Sequence, residues 1–173
     1  MPVVTFTSDF GLRDHYVALI KGALLRRHQP LNIVDITHQI DNYDIVQAAF
    51  LFKNAWRAFP PGTIHLLSVN DFYNRDQPFV AIRFEAHYFI GPDNGLFSLI
   101  FDTVPEEIYL LTIPSDPRFP LMEVFGEAVG HIAAGRPFEA IRPPGGEPLQ
   151  RLTLQPVIGP ARNRGTVIHT DNT

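Results

Sequence analysis

The stretch "VVTFTSDFGLRDHYVALIKGALLRRH", residues 3–28, decides how the rest of the chain is read. It opens with an apolar, β-branched run, "VVTFT" (3–7), stopped by Ser8, the pattern of a strand buried on both faces. From Asp14 onward Tyr16, Leu19, Ile20, Ala23 and Leu24 recur at helical spacing, with Pro30 beyond the end. Asp14 is placed to cap that helix. Between strand and helix, Asp9, Arg13, Asp14 and His15 crowd into seven positions. A strand that runs through a polar knot into a helix is the opening of a βαβ unit, and the knot falls where such units bind ligands.

The same rhythm continues. "NIVDIT" (32–37) predicts a second strand and "DIVQAAFLFKNAWRAF" (44–59) a second helix, capped by Asp44 and closed by Pro60-Pro61-Gly62. "TIHLLSV" (63–69) predicts a third strand. "FVAIRF" (79–84) and "HYFIGP" (87–92) are separated only by Glu85 and Ala86, which predicts a hairpin. A short helix in "NGLFSLIFD", a strand in "IYLLT" and a helix over 123–135 ending at Gly135 complete an α/β domain, a mostly parallel sheet flanked by helices. From about residue 143 the character changes: "PPGGEP" reads as a linker, "LQRLTLQPVIG" as strand-like, and "RGTVIHTDNT" as the start of another strand. The expected organisation is an α/β domain over 1–145, then a linker and the first strand of a truncated C-terminal β domain over 146–173. A natural early stop would read the same way.

Composition narrows the class. At 173 residues with 45% hydrophobic side chains, the chain supports one substantial core. A formal charge of -4 without a Lys/Arg cluster offers nucleic acid little to hold. No apolar run is long enough for a membrane span and no signal-like segment precedes the first strand, so a cytoplasmic chain is expected. Zero cysteines exclude disulfides and thiolate-bound zinc.

The polar residues at the strand ends form a set: Ser8, Asp9, Asp14 and His15 after the first strand; Asp35, Thr37 and His38 at the second; Asn70 and Asp71 after the third; Asp93 and Asn94 after "YFIG". Taken singly, Asp93 and Asn94 fit a turn before Gly95, and His38 and His65 fit side chains satisfied by local hydrogen bonds. Asp9 stands at the strand exit, too early to cap the helix well. No G-x-G-x-x-G, P-loop or G-x-S-x-G motif occurs, so a pyrophosphate cradle or a serine elbow is not expected. Carboxylates and amides without phosphate-binding glycines suit a neutral or cationic polyol such as a nucleoside, because a carboxylate accepts hydrogen bonds from both hydroxyls of a ribose diol. A divalent metal on Asp9, Asp14 and His38 is the competing use of the same side chains.

In "TSDFGLRDHYVALIKG" (7–22), "IVDITHQI" (33–40), "DIVQAAFLF" (44–52), "FPPGTIHLLSV" (59–69), "GPDNGLFS" (91–98) and "GHIAAGRPFEAI" (130–141), the chain resembles the S-adenosyl-L-methionine hydroxide adenosyltransferases, relatives of the fluorinating and chlorinating enzymes. The resemblance implies a C-terminal β-barrel domain after this one, a homotrimer, and S-adenosyl-L-methionine as substrate with no metal or other cofactor. It implies attack of water at C5′ of the ribose, releasing methionine and forming adenosine. It places Asp9 as the ribose-diol carboxylate and Asp14 at a second acidic position. Tyr43 becomes an aromatic residue over the substrate, Asn70 the pocket end of the third strand, and Phe119 and Leu121 a wall near C5′.

The chain departs from the family in two blocks. Where members carry D-P-G-V-G-T-x-R, this chain has "NDFYNRDQ", which puts Asn70 at the Asp position and leaves Asn70, Asp71 and Arg75 as the catalytic candidates. Where members carry F-H-G-R-D it has "FPLME", which puts Pro120 in place of a water-orienting His. The expected function is a divergent adenosine-forming hydrolase; a member that binds an adenosine-type ligand without turnover, or only self-assembles, is the alternative.

Overall fold

In the computed structural model, residues 1–71, 78–112, 120–150 and 152–153 are described. Six strands, β1 (Val3–Ser8), β2 (Asn32–Thr37), β3 (Ile64–Ser68), β4 (Phe79–Phe84), β5 (His87–Pro92) and β6 (Glu107–Leu110), form one sheet in the order β2-β1-β3-β5-β4-β6. β1 pairs parallel with β2 and β3, and β3 pairs parallel with β5; β4 pairs antiparallel with both β5 and β6. The sheet is therefore mostly parallel, with β4 running against the rest. Helices α1 (Tyr16–Arg27) and α4 (Pro120–Ala133) are packed on one face; α2 (Ile45–Lys53) and α3 (Leu96–Ile100) cover the other.

The alternation of side chains along each strand sorts the core into two halves. Val4 and Phe6 of β1 and Phe79 and Ala81 of β4 pack with Ile20, Leu24 and Phe125 beneath α1 and α4. Val80, Ile82 and Phe89 pack with Phe52, Trp56 and Phe97 beneath α2 and α3. On that second side β1 presents Thr5 and Thr7, both fully buried, and Thr5 Oγ1 is satisfied by His65 Nδ1 at 2.7 Å. His65 Nε2 in turn lies 3.1 Å from His87 Nδ1, so His65 is held by local hydrogen bonds.

Several elements start or stop away from their expected limits. α1 begins at Tyr16, its cap residue is His15 and no side chain caps it, so Asp14 does not cap the helix. Its buried stripe is Val17, Ile20, Ala23 and Leu24, while Tyr16 and Leu19 remain exposed. The second helix is shorter than 44–59: α2 stops at Lys53, Asn54 Nδ2 folds back onto Phe50 O at 2.8 Å, and a single 3₁₀ turn, Trp56–Ala58, follows. Asp44 does cap it, accepting from Val46 N and Gln47 N. α4 begins at Pro120, a residue suited to the first helical position because its missing N–H would have no partner there. The 85–86 turn closes the predicted hairpin with both residues at positive φ, 47° and 61°, as a two-residue primed turn requires.

The described part of the segment expected to be strand-like, 149–150 and 152–153, is irregular. It is tied at two points: Leu149 N donates to Ile108 O at 2.8 Å, and the Asp93 carboxylate accepts from Thr153 N and Oγ1. The rest of the tail, with "GTVIHTDN", lies outside the described residues. Among the described residues no helix is long and apolar enough to cross a membrane.

Candidate active site

The chain runs from β1 outward to β2 and then back across to β3 on the other side of β1. That reversal is the topological switch point of an open α/β sheet, and loops leaving the two strands there diverge to leave a crevice. The last register pair of β1 and β3 is Ser8 with Ser68. It brings Asp9 beside Asn70 and Asp71, although some sixty residues separate them in the chain.

Asp9 Oδ2 accepts the backbone N–H of Tyr43 at 3.0 Å and of Asn70 at 3.1 Å. Both donors have left-handed backbone, φ 69° for Tyr43 and 52° for Asn70, conformations uncommon for residues with a Cβ. One carboxylate oxygen thus holds two strained loops in place. Among the described residues no hydrogen bond engages Oδ1. Asn94 braces the same corner: its Nδ2 donates to Val69 O at 2.9 Å and Asn70 O at 3.1 Å, and its Oδ1 accepts from Leu96 N.

The crevice, about 390 Å³, is lined by Asp9, Phe10, Tyr16, Asn42, Tyr43 and Asp71. The Phe10 and Tyr16 rings are tilted against each other at 5.9 Å between centroids. The Ser68 hydroxyl donates to Asp71 Oδ2. Burial pushes the Asp71 carboxyl up to about 6; the Ser68 hydrogen bond opposes the rise and the neighbouring charge of Asp9 adds to it. At neutral pH Asp71 is therefore an ionised, poorly solvated acceptor, the state suited to orienting water and taking a proton from it.

Of the expected site residues, Asp9, Tyr43 and Asp71 line the crevice. Asn70 contributes through its backbone, as above. Asp14 is exposed on the 12–15 loop and Leu121 is buried in the core with Val124 and Phe125; neither lines the crevice. Arg75 and Phe119 lie outside the described residues. Phe10, Tyr16 and Asn42 were not expected in the lining. Tyr16 carried a usable signal in its position alone, since it opens α1 directly after the loop that leaves the carboxyl end of β1, where such sheets bind ligands.

The metal reading of Asp9, Asp14 and His38 does not fit this geometry. His38 is buried, its Nδ1 is 2.7 Å from Ser8 Oγ, its Nε2 faces Asp35, and Asp14 stands away in solvent. Among the described residues no three His, Cys, Asp or Glu side chains converge on a metal-sized site. A second depression, bounded by Ser98, Phe101, Asp102, Val104 and Leu152, shares no lining residue with the crevice.

Fold and site together define an open α/β protein with a paired-carboxylate, aromatic-flanked crevice at its switch point. The sequence profile of the S-adenosyl-L-methionine (SAM) hydroxide adenosyltransferase N-terminal domain matches residues 4–142, and the chain belongs to that family. It is 34% identical over 175 residues to an (R)-S-adenosyl-L-methionine hydrolase from Thermus thermophilus, covering 92% of this chain and 68% of that protein. It is 26% identical over 170 residues to a fluorinase from Nocardia brasiliensis, covering 81% of this chain and 57% of the relative. Among solved structures, an uncharacterized conserved protein from Thermotoga maritima superposes with a TM-score of 0.79 at 23% identity, over 93% of this chain and 63% of that one. A conserved hypothetical protein from Thermus thermophilus gives 0.74 at 33% identity, over 90% and 63%. The chain thus spans roughly two thirds or less of the length of these relatives.

Proposed function

We propose that this chain supplies the adenosyl-binding domain of a hydrolase that converts S-adenosyl-L-methionine to adenosine and methionine. The observation that carries the reading is the Asp9 carboxylate lining the crevice at the switch point, with Oδ2 committed to two backbone N–H groups and Oδ1 engaged by no hydrogen bond among the described residues. Two lone pairs on Oδ1 match the two hydroxyls of a ribose diol. Tyr43, Phe10 and Tyr16 offer aromatic faces to the nucleoside, and the two carboxylates favour a ligand carrying a sulfonium charge.

In the proposed reaction the oxygen of water attacks C5′ and the C5′–S bond breaks. The electron pair of that bond goes to sulfur, which departs as the neutral thioether of methionine, and one water proton is released. Asp71, ionised at neutral pH, orients the water and takes that proton, in place of the Asp and His that Asn70 and Pro120 replace. The sulfonium is already a good leaving group, so positioning a desolvated nucleophile supplies most of the acceleration. The same substitutions favour the second reading, a site that binds adenosine without turnover. A homotrimer located in the cytoplasm belongs to the proposal, and light scattering tests the assembly.

The deciding experiment is calorimetric titration with S-adenosyl-L-methionine and with adenosine, followed by assay of the samples for methionine. Binding with methionine release is expected. Binding without release favours the second reading, and absence of binding for both ligands overturns both.

A further inference from the structure

Beneath the floor of the crevice runs a line of polar side chains that the proposed reaction does not touch. Lys21 Nζ donates to Asp35 Oδ2 at 2.6 Å. Asp35 Oδ1 lies 3.1 Å from His38 Nε2, off the line of an aligned hydrogen bond. His38 Nδ1 is 2.7 Å from Ser8 Oγ, and Ser8 Oγ accepts from Phe10 N at 3.4 Å. His38 and Ser8 are both buried, and the Phe6 ring meets the imidazole edge-on at 4.8 Å from the core side.

The polarity of this line is determined by its ends. A carboxylate accepts only, so Asp35 calls for the proton on Nε2, which leaves Nδ1 as an acceptor. Ser8 must then donate to Nδ1, and its lone pairs turn to the Phe10 amide. Gly11 N donates to His38 O at 2.7 Å, fastening the next amide to the same residue. Asp9 N is itself tied to Ser68 O at 3.3 Å. Three successive amides, those of Asp9, Phe10 and Gly11, are thereby held, and the Asp9 side chain sits at their head. Gly11 takes φ 70°, the left-handed turn that lets its amide reach His38. An apolar residue could fill the space of a buried imidazole without the cost of desolvating it, so its presence calls for a directional role.

We infer that Ser8 and His38, oriented by Asp35 and Lys21, are positioning residues that set the Asp9 carboxylate for its ligand, with His38 held as the Nε2–H tautomer. The ligand side of this inference rests on the adenosyl reading above; the loop side does not.

The test uses the whole chain. Long-range proton–nitrogen correlation on labelled protein reads the His38 tautomer directly: Nε2–H is expected, and Nδ1–H overturns the inference. Adenosine titration of Ser8→Ala and His38→Ala should show about tenfold weaker binding. His38→Asn, whose Oδ1 takes the place of Nδ1, should recover affinity to within about twofold of the parent. Wild-type affinity in Ser8→Ala, or no recovery in His38→Asn, overturns it. Amide exchange at Phe10 and Gly11 should quicken in Ser8→Ala while β3 amides stay protected; unchanged exchange counts against the chain of bonds even if His38→Ala fails to fold. If the parent binds no adenosine, the adenosyl reading fails, and the tautomer and exchange measurements still decide the loop.

Discussion

Asp9 Oδ2 accepts the backbone N–H of Asn70 at 3.1 Å, joining the exits of β1 and β3 across 61 residues of chain through one carboxylate oxygen. The contact makes Asp9 a structural tie in addition to the ligand role proposed for it. Asp9→Ala should abolish adenosine binding and also lower stability by about 1–3 kcal/mol, because two N–H donors on strained loops lose their acceptor. Asp9→Asn keeps an acceptor for those amides but loses the carboxylate, so it should melt closer to the parent while still failing to bind. Paired melting and calorimetry separate the two roles; parental affinity in Asp9→Asn would sink the diol assignment.

Asp71 predicts a pH dependence of definite sign. Its folded value is raised from 3.8 to about 6, so between those limits the native chain keeps a proton that the unfolded chain has lost. Stability contributed by this group therefore falls as pH rises through that window. Asp71→Asn should remove that slope and stabilise the chain at pH 7, on the order of 1–3 kcal/mol, read from urea midpoints at pH 4.5 and 7. Methionine release should rise with an apparent pKa near that of Asp71 and be lost in Asp71→Asn. A variant that retains the parental pH–rate curve would exclude Asp71 as the proton acceptor.

His65 acts in the opposite direction. Burial, with a smaller contribution from His87, lowers its imidazole from 6.5 to about 3. The native ring stays neutral while the unfolded chain takes up a proton, so stability is full above 6.5 and is lost as pH falls toward about 3. The double variant Thr5→Val/His65→Phe removes both members of the buried hydrogen bond and should flatten the acid side of the stability curve. Unfolding midpoints at pH 7, 5.5 and 4 measure it, and an unchanged acid slope would place the sensitivity elsewhere.

Gly91 lies where β5 passes β3, and a Cβ there would meet Leu67 O at 2.6 Å and Phe97 Cζ at 3.1 Å. The nearer atom is backbone in a hydrogen-bonded strand, so it has little freedom to retreat. Gly91→Ala should cost about 1–3 kcal/mol, read as a lower urea midpoint with an unchanged slope. A neutral effect would mean that the β3–β5 joint relaxes more readily than a sheet interior should.

What was legible in the chain divides along the range of the forces involved. β2, β4 and β5 agree with their predicted limits because the signals are local: "FVAIRF" and "HYFIGP" are short, mostly apolar runs, buried along almost their whole length, and the two-residue gap between them forms a turn. Helix ends were less legible. α1 begins at Tyr16, two residues past Asp14, with no side-chain cap, and the ladder of α2 ends at Asn54, whose backbone N–H and side-chain Nδ2 both donate to Phe50 O.

Residue type and spacing along the chain were enough for the α/β class, the polar strand ends and the prominence of Asp9. Which strand ends meet was settled by the folded sheet. Strand order put β1 beside β3, and the Ser8–Ser68 register then set Asp9 against Asn70 and Asp71 while His38 turned inward to Ser8. Which carboxylates share a crevice depends on non-local pairing and on the burial it produces, and neither is encoded in local spacing. The raised Asp71 carboxyl is a property of that burial and of the neighbouring Asp9 charge, which exist only once the sheet has closed around them.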